Sequence, residues 1–205
     1  MADAQLSESF LSRMEDKLGV HQQPLKERLA LASYRLRTLR NKMESKHLML
    51  QARDKELFDK CLTSKTSGDS ARASLYAEEC AETRKIAKVI LQCELAIEQV
   101  TFKLETAEMV GDLAFMMHPI KNVVSMVGQQ IQHLMPEVSF ELNQINESLD
   151  GVVTSAGEVT ETVSPVGSFS GDAESILKEA DALAEQKIKS RFPEIQQALP
   201  TPQPT

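Results

Sequence analysis

Four histidines and three cysteines, set among thirty acids, are the residues of this 205-residue chain that could hold a metal or move a proton. His21, His47, His118 and His133 lie far apart. Glu44 and His47 have the Glu-x-x-His spacing that puts an acid and an imidazole on one helix turn. A di-iron bundle needs two such pairs and further glutamates, and no other histidine here has an acid three residues upstream. His118 precedes Pro119 and reads as a helix-end residue rather than a base. Cys61, Cys80 and Cys93 are odd in number and lack zinc-ligand spacing, so they read as small apolar thiols in a reducing compartment. There is no phosphate-cradling glycine loop, and no nucleophile has a base beside it. The chain reads as a non-enzyme with no cofactor and no metal.

The distinctive chemistry is cationic. At about 100° per residue, Arg28, Arg35, Lys42, Lys46, Arg53 and Lys60 fall in a band about 40° wide along one helix, with Arg37 and Arg40 elsewhere round the cylinder. A charge run is usually a solvated face. On a chain of net charge −7, however, such a ribbon suits anionic lipid headgroups, at about 1 kcal/mol per cation near the surface, or an acidic partner helix. Residues 24–66 carry eleven Lys or Arg against five Asp or Glu, whereas residues 104–205 carry five against fifteen. A basic first half and an acidic second half predict a polyanion-binding face or pairing within the molecule. The overall acidity argues against a nucleic-acid partner.

The elements that must position these charges are helices. Residues 67–112 open on the turn signal Ser67-Gly68-Asp69-Ser70 and then run without proline or glycine until Gly111. Ile86, Ile90, Cys93, Ile97, Val100, Leu104 and Ala107 step by 4, 3, 4, 3, 4, 3, the mark of a helix packed lengthwise on another. Residues 24–65 repeat the pattern through Leu25, Leu29, Ala32, Leu36, Leu39, Met43, Leu50, Leu57 and Cys61, with Pro24 as a favourable first-turn residue. Two such helices joined by a short turn make a long antiparallel hairpin. Aromatics are scarce (seven Phe, two Tyr, no Trp), which fits an elongated all-α body. Ala71, Ala73, Ala77 and Ala81 predict a thin end near the turn.

Shorter helices should follow. Residues 113–135, with several methionines, read as a helix interrupted at Pro119, and Pro136 precedes a helix ending near Asp150 with Phe140, Leu142, Ile145 and Leu149. Methionines suit plain packing or a segment that repacks between two states. Residues 151–172 read as a Gly/Ser/Thr-rich flexible linker, 173–191 as an amphipathic helix, and 192–205 as a proline-rich tail of the kind that binds grooves as an extended peptide. Residues 1–23, with Leu6, Phe10, Leu11, Met14 and Leu18 on one face, read as a docked or frayed helix or as a lipid anchor. An acidic start without an apolar run shows no signal peptide, and no run reaches the length of about 18 apolar residues that a membrane span requires. A cytoplasmic chain is expected.

Arg53-Asp-Lys-Glu-Leu-Phe-Asp-Lys-Cys61, Ala71-Arg-Ala-Ser-Leu-Tyr-Ala77, Glu79-Cys-Ala-Glu82, Arg84-Lys85, Ala96-Ile-Glu-Gln-Val100 and Leu104-Glu-Thr106 resemble the archaeal ESCRT-III-like cell-division proteins, the CdvB family. The resemblance covers residues 25–150 and extends more loosely through Leu134-Met-Pro-Glu-Val138. With no winged-helix-like extension, the chain looks like a short paralogue. The resemblance implies an ESCRT-III-like core over 24–150 that polymerises on the division-neck membrane with itself and paralogous subunits. It implies remodelling by an AAA+ ATPase of the CdvC type. The basic residues, Arg37 and Arg40 included, would be the membrane or polymer face, and the acidic C-terminal half would be autoinhibitory. Phe192, Pro193, Ile195, Leu199 and Pro200 resemble the family's ATPase-recruiting tail, with Gln196 standing where its motif has a proline. The alternative from another class is a helical adapter that binds partners through residues 173–205 and never polymerises.

Overall fold

A computed structural model describes residues 25–110, 113–157 and 170–192, all of them helices and the turns between. Helix α1 is Leu25–Thr66, α2 Ser70–Val110, α3 Leu113–Ile131, α4 Pro136–Gly157 and α5 Ser170–Arg191. At 1.5 Å per residue, the 42 residues of α1 span about 60 Å.

The turn between α1 and α2 follows from three residues. Gly68 sits at φ 78°, the left-handed conformation that a side chain disfavours. Its N–H donates to Lys65 O at 3.2 Å and the N–H of Asp69 donates to Ser64 O at 2.9 Å. This bond pair closes the end of α1 and satisfies its last carbonyls. Asp69 Oδ1 then accepts from the N–H of Arg72 at 3.1 Å and caps α2.

The two long helices return on each other as an antiparallel pair. Leu29, Ala32, Leu36, Leu39 and Met43 are buried against Ile90, Cys93, Ile97, Val100, Leu104 and Ala107 in one continuous core. Nearer the turn the core shrinks to Cys61, Ala73 and Ala77, with Phe58 and Tyr76 packed on it, so this end is thin as expected. The fold is all-α and ESCRT-III-like in arrangement.

The shorter helices lie on this hairpin. α3 packs on α2, α4 on α3 and α1, and α5 on α2 and α3. Helices α3 and α4 approach closely at Gly128, whose carbonyl accepts from Ser139 Oγ at 2.8 Å. A Cβ at Gly128 would meet Asn143 Oδ1 at 3.4 Å.

Four expectations are corrected. The helix at 113–131 continues through Pro119; the ring is buried, and its packing offsets the one backbone bond it removes. The next helix does not stop near Asp150 but runs to Gly157, so residues 151–157 are helix, not linker. Val152 is fully buried, and that burial overrides the weak helix propensity of its neighbours. Residues 170–172, also assigned to the linker, form the first turn of α5. Phe140 is 64 % exposed on the outer side of α4 rather than in its apolar seam.

Candidate assembly and membrane face

The basic band of α1 divides into three groups. Two of its residues hold α4. Arg28 Nη1 donates to Gly151 O and Nη2 to Ser148 O, both at 3.3 Å. A Cβ at position 151 would lie 2.2 Å from Arg28 Nη2, so a larger residue there would displace the guanidinium. Lys42 pairs with Glu141 of α4 at 2.6 Å. Arg53 and Lys60 share Glu56 on their own helix, at 3.8 and 2.5 Å, and the bond from Lys60 holds the Glu56 carboxyl below its usual range. Among the described residues, Arg35 and Lys46 have no ion-pair partner.

Arg37 and Arg40 sit elsewhere, as their angles predicted, and bridge to α2. Arg37 pairs with Glu105. Arg40 reaches Glu98 at 3.3 Å and Glu44 at 3.0 Å. Exposed pairs of this kind contribute at most about 1 kcal/mol each. They fix register more than they hold the hairpin together. Thus α4 lies over part of the ribbon, holding Arg28 on two backbone carbonyls and Lys42 on Glu141. Lifting α4 would release Arg28 and Lys42 from these partners and leave a longer free positive stripe.

A second cluster anchors the end of α5. Arg84 of α2 forms a two-pronged ion pair with Asp54 of α1, Nε to Oδ1 at 2.6 Å and Nη2 to Oδ2 at 3.0 Å. The side chains are 13 % and 2 % exposed. Phe192, 7 % exposed just past α5, lies under the same guanidinium, 5.4 Å from ring centroid to Cζ. Lys88 adds pairs to Asp181 at 3.1 Å and Glu185 at 3.8 Å. Lys189 bonds Glu185 at 2.7 Å; with Lys88 it keeps that carboxyl below its ordinary range. Of the tail residues, Phe192 alone is described, and it is seated on the hairpin. Pro193, Ile195, Leu199 and Pro200 lie outside the described residues, as do residues 1–23.

Between these two anchors, His47 is 1 % exposed and neither ring nitrogen makes a hydrogen bond. The Ala87 carbonyl faces the ring without closing one. Burial depresses its pKa, and the nearby Arg191 and Lys187 add to the effect against Glu44. Glu94 is buried as well, and burial with the adjacent Glu44 raises its carboxyl. The thiols are buried and stay protonated: Cys80 is pushed up to about 11 and Cys93 to about 12, chiefly by burial, and Cys61 is raised for the same reason. Among the described residues no three His, Cys, Asp or Glu side chains group as metal ligands. None of the described helices is long and apolar enough to cross a membrane.

The sequence reading missed the Asp54–Arg84 lock and buried His47, although a signal was present. Asp54 stands between Leu50 and Leu57 at the seam's 4, 3 spacing, and Arg84 stands between Cys80 and Ala87 in the same way. Opposite charges at core positions of facing helices announce a buried pair. His47 follows Met43 in that seam.

No family model and no solved structure matches the chain. Cell division protein B1 of Sulfolobus acidocaldarius is 37 % identical over 179 residues, 87 % of this chain and 84 % of the relative. Cell division protein B of the same organism is 29 % identical over 187 residues, 91 % of this chain and 70 % of the relative. With two long helices back to back, shorter helices folded on them, and that extent of identity, this chain belongs to the CdvB family of archaeal ESCRT-III-like proteins.

Proposed function

We propose that this chain acts in archaeal cell division as a polymer-forming subunit that constricts and severs the membrane at the division neck. It works in the cytoplasm, peripheral to that membrane, with itself and paralogous subunits as partners. It performs no bond chemistry. The arrangement described above corresponds to a closed subunit: α4 engages Arg28 and Lys42, and α5 is pinned by Lys88 and Arg84. Opening frees the basic ribbon for anionic lipid or a neighbouring subunit. It also frees the C-terminal residues for an AAA+ ATPase of the CdvC type, which supplies the energy for remodelling.

The observation that carries this reading is Arg28 on the Ser148 and Gly151 carbonyls. A cation of the ribbon is engaged by the acidic half of the same chain, so α4 and an anionic surface compete for it. The test is electron microscopy and sedimentation on anionic liposomes, comparing the full chain with a chain ending at residue 135, which lacks α4 and α5. The shortened chain is expected to coat liposomes as rings, coils or tubes and to sediment more. Bare, smooth liposomes with both chains, and monomers at low salt, would instead make the protein a helical adapter. Changing Arg28, Arg35, Lys42 and Lys46 together to Glu should reduce liposome sedimentation. Unchanged sedimentation removes the ribbon from the mechanism.

A further inference from the structure

Leu31 and Tyr34, near the start of α1, are 46 % and 68 % exposed. At about 100° per residue they lie with Thr38 and Ser45 on the side of α1 opposite Leu29 and Leu36, which are buried toward α2. The described elements leave that side open, with Thr38 and Ser45 exposed as well. We propose that residues 5–18 form a helix that lies antiparallel along it, seated on Leu31 and Tyr34 in the isolated subunit. This contact goes beyond the function proposed above and holds whether or not the chain polymerises.

Position is the first argument. Residues 19–24, with Gly19 at one end and Pro24 at the other, join the segment directly to α1. Connections of about 2–8 residues are those that fold one helix back on the next. As a helix, residues 5–18 span about 20 Å, which is also the rise of α1 from Leu31 to Ser45. Folding back at 19–24 sets Met14 level with Leu31 and Leu11 level with Tyr34. Apolar chemistry is the second argument. Leu6, Phe10, Leu11, Met14 and Leu18 share one face. A helix this short is not stable in water without a surface on which to bury such a face.

Charge selects this seat over a lipid surface. Residues 1–23 carry Asp3, Glu8, Glu15 and Asp16 against Arg13 and Lys17, a balance that suits a basic helix better than anionic headgroups. Glu8 and Glu15, one heptad apart, border the apolar face on one edge, and Arg13 and Lys17 border it on the other. On α1, Arg35 and Lys42, also one heptad apart, border the side that carries Leu31 and Tyr34. Successive residues turn in opposite senses about two antiparallel helices. The Glu8–Glu15 edge therefore falls beside Arg35, and Lys17 falls beside Glu27. Lys42 is held by Glu141, but Arg35 has no ion-pair partner among the described residues. The segment thus engages a cation of the ribbon that α4 leaves free, and an anionic surface must compete with Glu8 for it.

The test follows amide hydrogen exchange in residues 5–18 of the full chain, as a dilute monomer without lipid. Exchange there is expected to be at least tenfold slower than in the same chain carrying Leu31→Glu and Tyr34→Glu. Both positions face solvent, so the hairpin stays intact, which unchanged exchange in α2 will verify. Glu8→Arg should quicken exchange in the segment at least threefold, and adding Arg35→Glu should restore most of the protection. Three results overturn the proposal: equal exchange in the parent and the Leu31→Glu, Tyr34→Glu chain; protection that appears only once anionic vesicles are added, the mark of a lipid anchor; or no recovery when Arg35→Glu joins Glu8→Arg. None of them bears on whether the chain polymerises on liposomes.

Discussion

Replacing Arg84 by Met removes one half of a pair whose other half, Asp54, is almost wholly buried. The two bonds at 2.6 and 3.0 Å satisfy both carboxylate oxygens. Met keeps the length and apolar stem of Arg, so the loss is electrostatic rather than a cavity. Stranding a buried charge costs about 3–5 kcal/mol. For a domain of this size about 2–4 °C of melting temperature follows each kcal/mol, so Arg84→Met should melt about 6–20 °C lower. The control is Asp54→Leu with Arg84→Met, which replaces the pair by apolar groups. That exchange is often neutral or stabilising, so the double variant should recover most of the loss. Thermal unfolding followed by circular dichroism measures all three chains. If Arg84→Met melts within 2 °C of the parent, or if the double variant melts no higher than Arg84→Met, the pair is not the lock between α1 and α2.

Other outcomes follow from the same geometry. Gly151→Ala should gain about 1 kcal/mol of helix propensity yet expel Arg28 from two carbonyls, bonds to a charged donor that are worth more than this gain. Hydrogen exchange in residues 145–157 should therefore quicken severalfold, and slower exchange would show that Arg28 does not hold α4. Burial lowers the folded pKa of His47 from 6.5, so the folded chain binds fewer protons at this site than the unfolded one. Stability from this group is full above pH 6.5 and is lost as pH falls toward the folded pKa. Glu94, raised from 4.5, acts in the opposite sense. A melting temperature that drops between pH 7.5 and 5.5, and a shallower drop in His47→Leu, are the expected readings. Equal slopes would clear His47. The three buried thiols should react with a disulfide reagent at pH 7.5 only after unfolding; rapid reaction of the native chain would contradict their burial.

The long helices, their turn and their seam were legible in order of residues alone. A 4, 3 repeat sustained through Ile86–Ala107 has one physical use, and Gly68 followed by Asp69 ends one helix and starts the next by local backbone bonds. The angles that separate Arg37 and Arg40 from the other cations are likewise properties of a single helix. What packing decided is the fate of those cations. Periodicity orders residues around one cylinder, but it does not say which cylinder lies alongside. Only the docked α4 makes Arg28 a clamp on Gly151 while Arg35 stays exposed to solvent. Only the docked α5 turns Phe192 from the head of a tail into a buried ring. For the same reason Pro119 and Gly151 misled a local reading: each weakens an isolated helix, and each is offset by neighbours that come from elsewhere in the chain.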